Sequence, residues 1–280
     1  MQYSHSRLSS YENCPKQFHF RYVEKVKTEW EGIEAYLGKR VHEILERLYH
    51  HVARYLRPPS LGQVQRRFQQ DWQTAWHDHV RIVRDDRDKS FYVRQGERCL
   101  ENYYRSHYPF DQGETVALEH QVELALDPEG RYQMRGIIDR VVRTGDGRYE
   151  IHDYKTGATL PSPAQIERDR QLALYQIGIQ QMRPDAKEVE LVWHYLAFNK
   201  TLRSQRSPAQ LADLREATIG RIQEIEAAQE FPARPSALCR WCEFNERCPA
   251  GGGREIPVEP PPATAPELQR QEGSGQLALF

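Results

Sequence analysis

Hydrophobic positions change period several times along the chain, and each change marks an element. Between residues 35 and 56, Leu37, Val41, Ile44, Leu45, Leu48, Val52 and Leu56 recur every three or four residues, which predicts one amphipathic helix. Residues 1–30 before it read as a short helical arm. Residues 57–110 predict more helix, broken at Pro58-Pro59. The period then drops to two. Residues 114–126 read as a strand, and two β-branched runs flank Gly145-Asp146-Gly147, a hairpin signal. Pro161-Ser162-Pro163 starts a helix expected to reach about Met182. Residues 188–198 are apolar at most positions of both faces, which places a strand inside a sheet. A last helix is expected at about 208–229, and from Gly251 glycine and proline runs read as a disordered linker.

The hairpin carries the chemistry. Centring its turn on Asp146 sets Asp139 opposite Asp153. Strand alternation then puts Lys155 on the face of Asp153 and turns Tyr154 away. Two acids held together repel unless they share a cation, and hard oxygen donors suit Mg²⁺ or Mn²⁺. An exposed hairpin with solvated ion pairs is the plainer reading of the same residues. His42, beside Val41 at the border of the helical stripe, is by itself an ordinary boundary histidine.

Composition narrows the setting. The chain has 280 residues, 28% of them charged, a net charge of −1 and a mean hydropathy of −0.81. That length buries a real core, but a near-neutral chain can bind nucleic acid only through local basic patches. One candidate patch is the mixture of Arg66, Arg67, Trp72, Trp76, Arg81, Arg84, Arg87, Tyr103 and Tyr104. The same residues also suit a helical unit with aromatics packed inward. No apolar run reaches membrane-spanning length and the N-terminus has no signal-peptide core, so a cytoplasmic location is expected. There, five cysteines point to metal or catalysis more than to disulfides. Cys99 reads as core. Cys239, Cys242 and Cys248 leave a four-coordinate site one ligand short, and Cys14 completes it only if the N-terminal arm returns to that corner.

Gly136-x-x-Asp139-Arg140 followed by Asp153-x-Lys155-Thr156-Gly157 resembles the active-site core of the PD-(D/E)XK nuclease superfamily. It resembles more narrowly the RecB/AddB branch, which includes CRISPR-associated iron–sulfur nucleases. Ile138 stands where the superfamily's name has proline, as is usual in that branch. Gly38-x-x-x-His42-x-x-Leu45 resembles the family's first motif, whose histidine reaches the metal. Gln171-Leu-Ala-Leu-Tyr175 resembles its Gln-x-x-x-Tyr motif, which orients the lysine and approaches DNA. Glu119 matches a glutamate of the first core strand that supports or bridges the metal. The pattern Cys14…Cys239-x-x-Cys242-x₅-Cys248 resembles the [4Fe–4S] staple of AddB-type nucleases, with structural Zn²⁺ as the alternative. Gln276-Leu277-Ala278-Leu279-Phe280 resembles the bacterial sliding-clamp-binding motif, in which Gln276, Leu277, Leu279 and Phe280 would contact the partner.

The resemblance implies a restriction-endonuclease-like α/β fold over residues 1–250, a mixed sheet flanked by helices. Residues 57–110 would be a helical insertion, 233–250 with Cys14 a metal-stapled corner, and 251–280 a tail. It also implies a Mg²⁺- or Mn²⁺-dependent deoxyribonuclease, an exonuclease working in repair, recombination or replication. His42, Asp139, Asp153 and the carbonyl of Tyr154 would hold the cation, and Lys155 would position or deprotonate the attacking water. The alternative is a silent DNA-binding adaptor on the same scaffold. The chain lacks a Gly-x-x-x-x-Gly-Lys-[Ser/Thr] loop, so any helicase would be a separate chain.

Overall fold

The computed structural model describes residues 2–28, 30–251 and 280. Ser4 accepts a hydrogen bond from the Arg7 amide and starts α1 (His5–Asn13). Cys14-Pro15 then turns the chain into the short α2 (Pro15–Phe18). β1 (Glu31–Gly32) leads into α3 (Ile33–Tyr55), which buries Leu37, Val41, Ile44, Leu45 and Leu48 of the expected stripe. Val52 is half-buried, and Leu56, just past the last turn, is 89% exposed. A Ser60/Gln63 capping box begins α4 (Leu61–Ala75) just past Pro58-Pro59. β2 (Val80–Arg81) pairs in parallel with β1, and α5 (Lys89–His107) follows.

The main sheet comprises β3 (Glu114–Ala125), β4 (Gln133–Gly145), β5 (Arg148–Lys155), β6 (Glu188–Tyr195) and β7 (Lys200–Gln205), in that spatial order. Only β5 and β6 run parallel, and α6 (Pro163–Glu167) and α7 (Gln171–Met182) make that crossover. α8 (Pro208–Ala227) comes last. β6 lies inside the sheet, as its two-sided apolar pattern requires. The helix expected from Pro163 to Met182 is instead two helices: Arg168–Arg170 lie outside both, and Asp169 accepts from the Leu172 amide at the start of the second. β7 and the β1–β2 pair were not expected; they are too short to carry a periodic signal.

Each sheet face covers its own core. Val122, Leu124, Ile151 and Trp193 pack with α7 residues on one side, whereas Tyr154 packs with α3, α4 and α5 on the other. Trp72 and Tyr103 belong to this second core, so these aromatics of the 57–110 region pack inward. Its charges largely pair among themselves, Arg67 with Asp71 and Arg84 with Asp86. Buried polar groups also line this face. His152 Nδ1 lies 2.8 Å from His194 Nε2, and an Arg140 Nη2 lies 3.2 Å from that same His152 nitrogen. Burial, and then the Arg140 charge, hold His152 well below the usual histidine range; burial and the His152 ring do the same to His194. Unfolding frees both rings to take up protons near pH 6.5, which the folded protein resists. Stability should therefore be full above about pH 6.5 and fall as the pH drops through 6. Thermal melts at pH 7.5, 6.5 and 5.5 check this, and His194→Gln should flatten the decline.

The hairpin register is the expected one: Arg140 faces His152, Val141 faces Ile151 and Arg143 faces Tyr149. The turn itself is tighter. Asp146-Gly147 is a two-residue loop between Gly145 and Arg148, and a shift between Arg143 and Gly145 restores the pairing. Gly147 has φ 69°, and a side chain there would also stand 2.9 Å from the Asp185 carbonyl. Among the described residues no helix is long and apolar enough to cross a membrane. Gln276, Leu277 and Leu279 lie outside the described residues; Phe280 packs with its ring 5.8 Å from that of His51.

Candidate active site

β3 changes its facing at Glu119. Leu118 packs on the α3 side, whereas Val122 and Leu124 pack on the α7 side. Glu119 makes the switch at φ 44°, a left-handed conformation that a non-glycine residue rarely adopts and that concentrates at functional sites. The flanking pairs are Leu118 with Arg140 and His120 with Ile138, so Glu119 stands opposite Asp139.

Asp139 lies where β4 and β5 part. Regular pairing ends at Arg140–His152, one step short of the expected Asp139–Asp153 pair. The reason is local: Asp139 Oδ2 inserts into the fork and accepts from the Tyr154 amide at 2.7 Å. Its Oδ1 is 3.5 Å from His42 Nδ1, and His42 Nε2 lies 2.7 Å from the Tyr154 carbonyl oxygen. Among the described residues, His42, Glu119 and Asp139 form a group whose donor atoms all lie within 4.8 Å of one another.

Asp153 joins a second set beside the first. Lys155 Nζ is 2.8 Å from Asp153 Oδ2 and donates to Gln171 Oε1 at 3.0 Å. Gln171 Nε2 donates to Asp153 Oδ1 at 3.1 Å, closing a ring of three side chains. Lys155 and Asp153 thus share a face, and α7 presents Gln171 to both from its first turn. Tyr175, one turn along, meets the Gln171 side chain and the Ile137 backbone. A Cβ on Gly136 would stand 2.1 Å from the Tyr175 ring. Gly136→Ala should therefore cost about 2 kcal/mol or more through overpacking. Thermal denaturation should read a drop of roughly 5 °C.

Charge and burial set the protonation of the site. Burial lowers the affinity of His42 for a proton, but Asp139, Asp153 and the Tyr154 carbonyl together outweigh it and lift the histidine to about 9. Burial, reinforced by Asp139, lifts Glu119 to about 7. Asp153 is raised by burial, which Lys155 offsets only in part. Burial opposes the charge on Lys155 most strongly, but Asp153, Asp139 and Asp169 together raise the amine above its ordinary value. A protonated His42 here bridges two oxygen acceptors as a small cation would. Two carboxylates, an imidazole and a carbonyl are a fitting donor set for Mg²⁺ or Mn²⁺.

The far corner brings four thiols to one cavity. Cys14, Cys239, Cys242 and Cys248 line a space of about 200 Å³. The N-terminal arm returns there because Gln17 and Arg21 bind Glu243 and the Phe20 ring packs 5.4 Å from that of Phe244. The Arg234 amide donates to Cys14 Sγ and the Ser236 amide to Cys239 Sγ, each at 3.4 Å. Burial, then the neighbouring Glu243 charge and thiols, lift Cys242 to about 11. Cys99 is separate; it is buried among apolar groups and pushed up to about 12.

Residues 2–249 match the family model of the PD-(D/E)XK nuclease superfamily. The chain belongs to that superfamily. Its five-stranded mixed sheet flanked by helices is the restriction-endonuclease-like architecture of these nucleases. A solved structure from Eubacterium rectale, named as a candidate exonuclease, is similar over 92% of this chain and 91% of its own, with 13% identity and a TM-score of 0.50. The structure of SSO0001 is similar over 87% of this chain and 85% of its own, with 14% identity and a TM-score of 0.40. No curated protein matches the chain. Membership in the superfamily makes the donor group at the β4–β5 fork the place to look for nuclease chemistry. Sequence reasoning gave Glu119 the smallest part in this group, because nothing local foretells a left-handed residue inside a strand.

Proposed function

We propose that the protein is a Mg²⁺- or Mn²⁺-dependent deoxyribonuclease that degrades DNA from an end. The observation that carries the reading is the placing of His42, Glu119 and Asp139 within single-cation distance of one another, next to the Lys155–Asp153–Gln171 ring. His42, Asp139, the Tyr154 carbonyl, Glu119 and Asp153 would hold one or two cations, and the imidazole donor favours Mn²⁺. Bound there, a cation supplies Lewis acidity toward the phosphate and acidifies a water. The chain's own residues do the rest. Lys155, fixed by two hydrogen-bonded partners, positions the attacking water and offsets charge developing on the phosphate oxygens. Gln171 holds both members of the pair in register, and Tyr175 anchors Gln171. Action from an end accords with the name of the Eubacterium rectale neighbour.

The test is digestion of linear single-stranded, linear duplex and end-blocked circular DNA with Mn²⁺, Mg²⁺ or excess chelator. Metal-dependent loss of the linear substrates alone is expected. Binding without cleavage under every condition would favour the silent adaptor instead.

The same reading assigns Cys14, Cys239, Cys242 and Cys248 to a [4Fe–4S] cluster that clips the two ends of the domain together. The thiols surround a cavity of about 200 Å³ and do not belong, among the described residues, to the group at single-ion spacing. Zn²⁺ with four thiolates requires a tighter set, with Zn–S distances of about 2.3 Å. The tail peptide Gln276–Phe280 would tether the enzyme to a bacterial sliding clamp and raise its effective concentration on DNA. Phe280→Ala should lower affinity for the clamp at least tenfold in a titration, without changing cleavage of free DNA.

A further inference from the structure

Beyond the fork, the α3-side face of β3 and β4 is open. Ile137 is 55% exposed there, and its registered neighbour Gln121 is exposed beside it. Arg135 and Glu123 form the next pair out and cancel in net charge. Ile137 is thus the apolar side chain on an otherwise polar shelf. It also stands two residues from Asp139, about 7 Å along the strand. Gly136 points the other way, since its missing Cβ makes room for the Tyr175 ring. Tyr175 meets the Ile137 backbone and the Gln171 side chain, and Gln171 holds Lys155 and Asp153. The shelf is therefore fixed rigidly to the groups that would do the chemistry.

We propose that Ile137, with Gln121 at its side, contacts the nucleobase adjoining the phosphate that is cut, and so sets the site's preference for unpaired DNA. The inference rests on the deoxyribonuclease reading and names what that site recognises. An apolar side chain one nucleotide step from the metal donors offers a base face a dry contact, and the Gln121 amide can donate to or accept from its edge. A paired base keeps its face stacked in the duplex, so this contact is available only to a base freed from it.

The test is a cycle between protein and substrate. Wild type, Ile137→Ser and Ile137→Val are assayed with Mn²⁺ on a single-stranded oligonucleotide, intact or with one abasic position stepped across the main cut site. One abasic position next to the cut should slow wild type about tenfold, mainly through KM. Ile137→Ser should be slowed about tenfold on intact DNA, yet lose almost nothing further on that abasic substrate. Ile137→Val should stay within about threefold of wild type. Losses that multiply to about a hundredfold, or an Ile137→Ser protein as fast as wild type, would overturn the proposal. If wild type cuts no DNA at all, the nuclease reading fails by itself. Equal binding of the oligonucleotide by wild type and Ile137→Ser would then overturn the contact as well.

Discussion

Lys155→Ala is expected to slow metal-dependent cleavage by about a thousandfold while the protein stays folded. Among the described residues the lysine is the cation that pairs with Asp153, and it is steered by Gln171 rather than left to solvent. Loss of an oriented charge of this kind costs on the order of 10²–10⁴ in rate. Some stability should be lost as well, because the buried Asp153 carboxyl loses the charge that offsets its burial. Single-turnover cleavage beside a thermal melt and a DNA-binding isotherm separates the two effects. Slow cleavage by a protein that melts lower, yet still cooperatively, and binds DNA normally is the expected result. Cleavage within tenfold of wild type would remove Lys155 from the chemistry.

Cys14→Ser is expected to have the largest effect on stability. Cys14 sits at the end of α1, and its proposed co-ligands follow α8, so the link closes most of the chain into a loop. A cross-link closing a loop of more than 100 residues is worth about 5 kcal/mol in the chain-entropy model. In a domain of this size that corresponds to roughly 10–20 °C of melting temperature. The variant should lose iron and acid-labile sulfide together and melt correspondingly lower. Cys99→Ala, a change in packing alone, should keep the full complement of iron. A wild-type protein purified without oxygen that carries zinc and no iron would replace the cluster with a single ion.

Some of this geometry was readable from residues alone. The hairpin register from Arg140 to Arg143 follows from a turn at Asp146-Gly147 and strand alternation, and so does the shared face of Asp153 and Lys155. The α3 stripe likewise positions His42 at its border. Alternation breaks down at the fork. Asp139 leaves the ladder to bind the Tyr154 amide, and Glu119 takes a left-handed conformation opposite it. Both depend on tertiary partners that a periodicity cannot register. The interruption at Arg168–Arg170 differs: Asp169 is a poor helix former and accepts from the Leu172 amide, so a local start signal lies inside what periodicity reads as one helix. The inward packing of Trp72 and Tyr103 was open from composition, since aromatics and arginines in alternation serve either a groove or a core.

The claim on which the rest depends is that Asp139 helps hold the reacting cation. The initial rate of Mn²⁺-supported cleavage of linear DNA by Asp139→Asn, relative to wild type, tests it most directly. The amide keeps the shape and the acceptor for the Tyr154 amide but removes the charge. A fall of about a thousandfold or more is predicted. A rate within tenfold of wild type would contradict the account.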